Sequence, residues 1–205
     1  MTAIESGAFA PEITPVTAKT RQGDISIDQD EEPGRCNIDK MPHLRPAFAK
    51  DGTVTAASSS KISDGAAALV VMSRARAEAM GLTPLARICA HAGHAQEPEW
   101  FTTAPVGAIG QVLTKAKWDS AGVDLYEINE AFAVVTMAAM AAHKLSADQV
   151  NVFGGALALG HPIGASGARV VVTLLNALTH RDKARGVAAL CIGGGEATAL
   201  AIERL

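Results

Sequence analysis

The sequence predicts an α/β fold in which a mixed five-stranded sheet is covered on both faces by helices. Three observations predict it. Apolar runs of strand length alternate with apolar runs of helix length from Thr83 to the C-terminus. Hydrophobic residues make up 48% of the chain while aromatics make up only 4%, a composition suited to closely packed, alanine-rich helices. The last two apolar runs are joined by Gly193-Gly194-Gly195, a connection that reads as a hairpin.

Residues 1–62 read as irregular and polar, with acidic charge concentrated at Asp28, Asp30, Glu31 and Glu32 before the Pro33-Gly34 turn. Such a charge run is most often a solvated loop. Thr53–Ser60 is β-prone at first and then small and polar. Ala66–Met72 reads as a buried strand, and Ser73 is placed to cap a helix that runs to Met80 and stops at Gly81. Leu85–Ala90 is then a strand, followed by a loop carrying Pro98, Trp100, Phe101 and Pro105, and Val106–Lys117 has helical spacing. Leu125–Ile128 is a strand, Ala131–Leu145 an apolar helix, Val150–Phe153 a short strand and Gly164–Leu178 a second apolar helix. Val187–Ile192 and Ala197–Ile202 complete the set of strands.

Bulk properties narrow the function classes. A net charge of −3 gives no electrostatic case for nucleic acid or an anionic membrane as partner. The longest apolar stretch, Ala131–Ala142, is shorter than the roughly 20 residues of a spanning helix. The polar start MTAIESGAFAPE, which has no basic residue, does not read as a signal peptide. Three irregularly spaced cysteines point to free thiols in a reducing compartment, so a cytoplasmic protein is the expectation.

Polar residues interrupt the pattern at three strand ends: Asn129 after DLYEI, His161 after VNVF and its glycines, and Cys191 closing GVAALC. In a sheet with crossovers such ends gather at one crevice, where ligands bind. Each residue has a plainer reading: Asn129 as a helix cap, His161 as a structural loop histidine, Cys191 as a small core residue. Together they form a candidate site. Gly193-Gly194-Gly195 leaves room for a molecule to approach the backbone and exposes N–H groups able to hold an oxyanion. Gly164-Ala165-Ser166-Gly167 opens a helix whose N-terminus favours negative charge, so a nearby thiolate or enolate would be stabilised. The same glycines lack the Lys of a phosphate loop and the GxGxxG spacing of a dinucleotide loop. No paired CxxC or HxxxH accompanies the Cys and His, so a metal site is not expected.

Asn129-Glu130-Ala131-Phe132, GGALALGHPIGASGAR at 154–169 and CIGGG at 191–195 resemble the C-terminal signatures of the thiolases, in particular the biosynthetic type, the acetyl-CoA acetyltransferases. DGTVTAASSSKISDGAAALVVMS at 51–73 resembles a further block of that family. The resemblance implies a thiolase-like fold, with 1–62 as the rest of the family's loop domain, 63–83 as the last strand and helix of the N-terminal core domain, and 84–205 as the C-terminal core domain. It implies condensation of two acetyl-CoA molecules, or CoA-dependent cleavage of a 3-oxoacyl-CoA. His161 would activate a nucleophilic cysteine, Cys191 would be the second acid/base, and Asn129 would fix a water that, with His161, holds the thioester oxygen. The Gly193 N–H would serve a second oxyanion hole, Ser60 would contact the pantetheine arm of CoA, and Phe101 would line the acyl pocket. The thioester is substrate, and no separate cofactor is implied. The related decarboxylating enzymes with two histidines fit less well, because the slots here hold Asn129 and Cys191. Glu196-Ala197 departs locally from the family, many of whose members have a further glycine at the second of these positions.

One departure is larger. The family's acyl-carrying cysteine lies in a Cys-small-Ser/Gly context, which neither Cys36 in GRCNID nor Cys89 in LARICAHA provides. The half of the fold bearing that nucleophile is therefore expected to be missing, and the helix at 164–178 to expose an apolar face. Self-association, or pairing with a separate N-terminal half, follows as an expectation. The alternative is a non-catalytic acyl-CoA-binding or scaffold subunit.

Overall fold

A computed structural model describes residues 1–205. In chain order it contains α1 (Thr2–Glu5), β1 (Val16–Thr20), β2 (Gly23–Ile27), α2 (Glu32–Arg35), α3 (Arg74–Ala79), β3 (Ala86–Ala95), α4 (Ala104–Ala116), β4 (Leu125–Ile128), α5 (Ala133–His143), α6 (Ala156–Leu159), α7 (Ser166–His180), β5 (Arg185–Ile192) and β6 (Glu196–Arg204).

The main sheet is mixed and runs β3-β6-β5-β4, with β4 parallel to β5 and the other pairs antiparallel. Helices cover both faces. On one face Ala108, Ile109 and Val112 of α4 and Val135 and Ala139 of α5 pack with Tyr126, Ile128, Val187 and Ala189. On the other, Val170, Leu174, Ala177 and Leu178 of α7 pack with Leu125, Ala188 and Ile202. The alternation of Leu125 and Ala188 with Tyr126, Ile128 and Val187 between the two layers is the period-two signature of strands buried on both sides.

The sheet has four strands rather than the expected five. Val150 reaches Tyr126 only as an isolated parallel bridge, because Asn151 turns with φ 48° and the chain leaves the edge. Residues 16–27, expected to be irregular, form a hairpin; nearly all its side chains are exposed, so no apolar alternation marks it. Thr55 and Ser58 form a capping box on a short 3-10 turn, so no strand runs through Thr53–Ser60.

The buried strand expected at Ala66–Met72 is also absent. The segment has no regular structure, its main-chain groups make no main-chain hydrogen bond, and Val70 and Val71 are 88% and 70% exposed. Ser73 does cap α3, accepting from the Arg76 N–H at 3.2 Å.

The naked face expected on the second apolar helix is not observed. Thr173 Oγ1 donates to Glu12 at 2.8 Å and Asn176 Nδ2 donates to the Ala8 carbonyl at 2.7 Å, so the N-terminal segment lies along α7. Exposed apolar surface is found instead on 69–72 and on Leu82, Leu85 and Ile88.

Candidate active site

β4 and β5 run side by side and finish at the same edge. The Asn129 N–H donates to the Ala189 carbonyl at 2.9 Å, which continues the ladder past the end of β4. Asn129 is fully buried and does not cap α5, whose N-cap is Phe132. The helix-cap reading is thereby excluded. What fixes the turn is Asn151, whose side chain accepts from the Ile128 N–H at 2.8 Å and donates to the Ile128 carbonyl at 2.9 Å. Asn151 also donates to Glu130 at 2.9 Å, and Glu130 accepts from the Leu157 N–H at 3.0 Å.

Two glycines of the histidine loop are explained by this packing. A Cβ at Gly155 would strike the Glu130 carboxylate, so glycine lets the carboxylate reach the loop. Gly160 has φ +93° and lies against Ser63, a conformation and a spacing that glycine accommodates. His161 follows, its N–H donating to the Lys61 carbonyl at 2.7 Å.

The imidazole is held from both sides. Its Nδ1 lies 2.6 Å from Ser166 Oγ, and its Nε2 lies 3.4 Å from Asn129 Nδ2. Ser166 Oγ donates its proton to the Pro162 carbonyl at 3.1 Å, so toward the ring it accepts. These bonds assign the proton to Nδ1 and leave the Nε2 lone pair facing the Asn129 amide. Burial, and secondarily the positive charge of Arg169, push the His161 pKa down, so the ring is neutral near pH 7. Asn129 Oδ1 is buried without a partner. Such an atom is a receptor for a water or a polar substrate group.

The structure therefore brings Asn129 and His161 together. Cys191 lies at the end of β5, one strand from Asn129, with its side chain in the core layer beneath α4 and α5. Burial pushes its thiol pKa up, opposed in part by a backbone hydrogen bond. Gly193 is exposed in the β5–β6 turn and makes no bond to the histidine loop. Ser60 donates from both N and Oγ to the Ala131 carbonyl, at 3.0 and 3.1 Å, so its hydroxyl oxygen remains available only as an acceptor. Phe101 is half-buried and packs edge-to-face on Phe132 at 6.1 Å, and Phe48 packs on the same ring from another direction.

Sequence reasoning missed Ser166 as the partner of His161, Asn151 as the brace of the turn, and the buried pair Glu127–Arg169. Ser166 and Arg169 lie within the motif GGALALGHPIGASGAR, and their polarity at the start of an apolar helix is the signal that could have found them.

A neutral imidazole beside an unsatisfied buried carboxamide is an arrangement able to take up a proton next to a polar group. The thiolase C-terminal domain model matches residues 82–204 and the thiolase N-terminal domain model matches residues 1–75; the chain belongs to the thiolase family. It is 51% identical to the acetyl-CoA acetyltransferase of Escherichia coli (strain K12) and 50% identical to that of Thiocystis violacea, over 99% of this chain and 52% of each relative. Among solved structures, the Bacillus anthracis acetyl-CoA acetyltransferase superposes with a TM-score of 0.96 at 43% identity, and human mitochondrial 3-ketoacyl-CoA thiolase with 0.91 at 34%, each over 100% of this chain and 52% of the other. The chain thus spans about half the length of the relatives it matches. The match over residues 1–75 corrects the expectation that the N-terminal half is simply missing, since part of that domain is here. No helix is long and apolar enough to cross a membrane.

Proposed function

We propose that these residues supply the histidine, asparagine and acid/base-cysteine part of an acetyl-CoA acetyltransferase centre, acting on acyl-CoA thioesters. The observation that carries the reading is the chain Asn129–His161–Ser166, with a ring proton on Nδ1 and an unprotonated Nε2 facing the Asn129 amide. In this reading Nε2 takes the proton of an acyl-accepting thiol. The imidazolium so formed carries a new N–H donor at Nε2, and that donor, with a water held by Asn129, stabilises the oxygen of the incoming thioester. Cys191, kept protonated by burial, is suited to deliver a proton to the enolate carbon of departing acetyl-CoA in cleavage. In condensation it must first lose that proton. Gly193, Ser60 and Phe101 keep their expected roles in the second oxyanion hole, the pantetheine contact and the acyl pocket. Free Cys36, Cys89 and Cys191 agree with a reducing compartment such as the cytoplasm.

The test follows loss of acetoacetyl-CoA enolate absorbance on addition of CoA. One arm uses the chain by itself, and a second adds a polypeptide bearing the family's Cys-small-Ser/Gly motif. Turnover in either arm that falls by about 10²–10³ in His161→Ala and Asn129→Ala supports the assignment. Turnover unaffected by His161→Ala overturns it. Saturable acyl-CoA binding with no turnover in either arm favours the scaffold reading, which the absence of that motif from Cys36 and Cys89 supports.

A further inference from the structure

Glu127 and Arg169 form a second connection between β4, which leads into Asn129, and α7, which supplies the Ser166 partner of His161. Glu127 lies on β4, on the same face as Asn129, and its side chain is 2% exposed. Arg169 lies on the first turns of α7, shortly after Ser166, and its Nη1 is 3.5 Å from Glu127 Oε2. The chain Asn129–His161–Ser166 and the pair Glu127–Arg169 therefore span the same gap as neighbouring rungs.

The pair is costly. Glu127 Oε1 is buried with no partner, and the single long contact leaves the fork of the guanidinium largely unused. Whether the carboxyl is neutral or charged, a buried carboxyl–guanidinium contact that leaves an oxygen unpartnered is often matched or exceeded in stability by apolar residues of similar volume. Stability alone does not account for it.

We propose that Glu127 and Arg169 are positioning residues: their contact ties β4 to α7, setting how Asn129 meets His161, and places the guanidinium so that its positive charge acts on the imidazole. The proposal deepens the reading of His161 as the base and rests on it for catalytic meaning; the geometry and the field do not depend on it. Charged groups that act on the guanidinium are Glu127 from β4 and Glu12 and Asp30 from the N-terminal region, while Glu130 from the turn after β4 acts on Glu127. Burial holds Glu127 protonated up to about 8, so near neutral pH it does not cancel the guanidinium.

The experiment is an NMR titration of the His161 Cε1–H signal in the whole chain, which needs no turnover. The double variant Glu127→Leu/Arg169→Met removes both ends and leaves no buried orphan, so it is expected to fold with a Tm equal to or above that of the parent. Its His161 midpoint is expected to rise by about half a pH unit, the scale of one well-screened unit charge. Glu127→Gln keeps the guanidinium, and its midpoint is expected to stay at or below the parent value. A purely structural pair would shift Tm and leave the midpoint alone. A midpoint unchanged in the double variant, or raised equally in Glu127→Gln, overturns the proposal. If the midpoints move as stated while acetoacetyl-CoA turnover is absent both from the chain alone and with the polypeptide bearing the Cys-small-Ser/Gly motif, the acetyltransferase reading has failed and the positioning role stands.

Discussion

His161 Nδ1 lies 2.6 Å from Ser166 Oγ, and that hydroxyl is itself committed as a donor to the Pro162 carbonyl. The serine therefore acts as an acceptor, and it decides which ring nitrogen carries the proton. Ser166→Ala removes the acceptor and frees the ring to exchange tautomers. Loss of one buried hydrogen bond of about 1–3 kcal/mol predicts a fall in kcat of about 10- to 100-fold, with KM little changed. Steady-state thiolysis measures it. An unchanged kcat would show that the serine does not govern the ring.

Glu127 makes stability depend on pH in a defined direction. Its carboxyl rises from 4.5 to about 8 in the folded chain, chiefly because of burial, which outweighs the lowering by Arg169. Between those values the folded state holds a proton that the unfolded state has released. Stability is therefore fully present below 4.5 and is lost progressively as pH rises toward 8. His161 contributes in the opposite sense at lower pH: with its folded pKa depressed, its contribution is present above 6.5 and lost as pH falls below that value. Urea unfolding at a series of pH values is expected to show midpoints that decline from pH 6.5 to 8, and Glu127→Gln is expected to remove most of the decline. A decline of the same slope in Glu127→Gln would refute this account.

Much of this arrangement was legible in the letters, and the reason is topological. Asn129 and Cys191 each end an apolar strand run, and Asn129 meets His161 although His161 follows the short helix α6 rather than a strand, so the strand ends located the site without describing how the histidine reaches it. Ser73 was legible as a cap because its hydroxyl, its position before a helical run and the following Gly81 agree. Ala66–Met72 was misleading because apolar content marks a strand that wants burial, while pairing depends on a neighbour that the pattern does not name. The hairpin at 16–27 has the reverse character: its ladder is complete but its side chains bury almost nothing, so periodicity is silent. Val150 was assigned a strand because its run is apolar, yet the left-handed turn at Asn151 ends the pairing after one bridge. Glu127 was overlooked because a lone carboxylate inside DLYEI carries no motif; only its 2% side-chain exposure reveals its weight.

Cys191 and Cys36 present a contrast that chemistry can read. Cys36 is exposed, whereas Cys191 is 8% exposed and its thiol is pushed up by burial. Thiolates, not thiols, attack alkylating agents. Brief treatment with iodoacetamide at pH 7.5 is expected to label Cys36 first and Cys191 last, as read by peptide mass mapping. Partial denaturation should abolish the difference. Rapid labelling of Cys191 in the native chain would mean a low-pKa thiolate and would reverse its assignment as a proton donor.

Residues 69–72 put an apolar run in water without a neighbour. Leu69, Val70, Val71 and Met72 are 38%, 88%, 70% and 38% exposed, and main-chain groups from 66 to 72 make no main-chain hydrogen bond. A segment with both features is a template for pairing with another chain. The chain by itself is therefore expected to self-associate at micromolar concentration through this segment, with sedimentation coefficients that rise with concentration. Val70→Lys/Val71→Lys introduces charge at positions that bury little, so folding should change by no more than about 0.5 kcal/mol per site. Association should weaken sharply in the same variant. A clean monomer for the parent chain in analytical ultracentrifugation would sink the prediction, and unchanged association in the lysine variant would move the interface elsewhere, to the neighbouring apolar positions Leu82, Leu85 and Ile88.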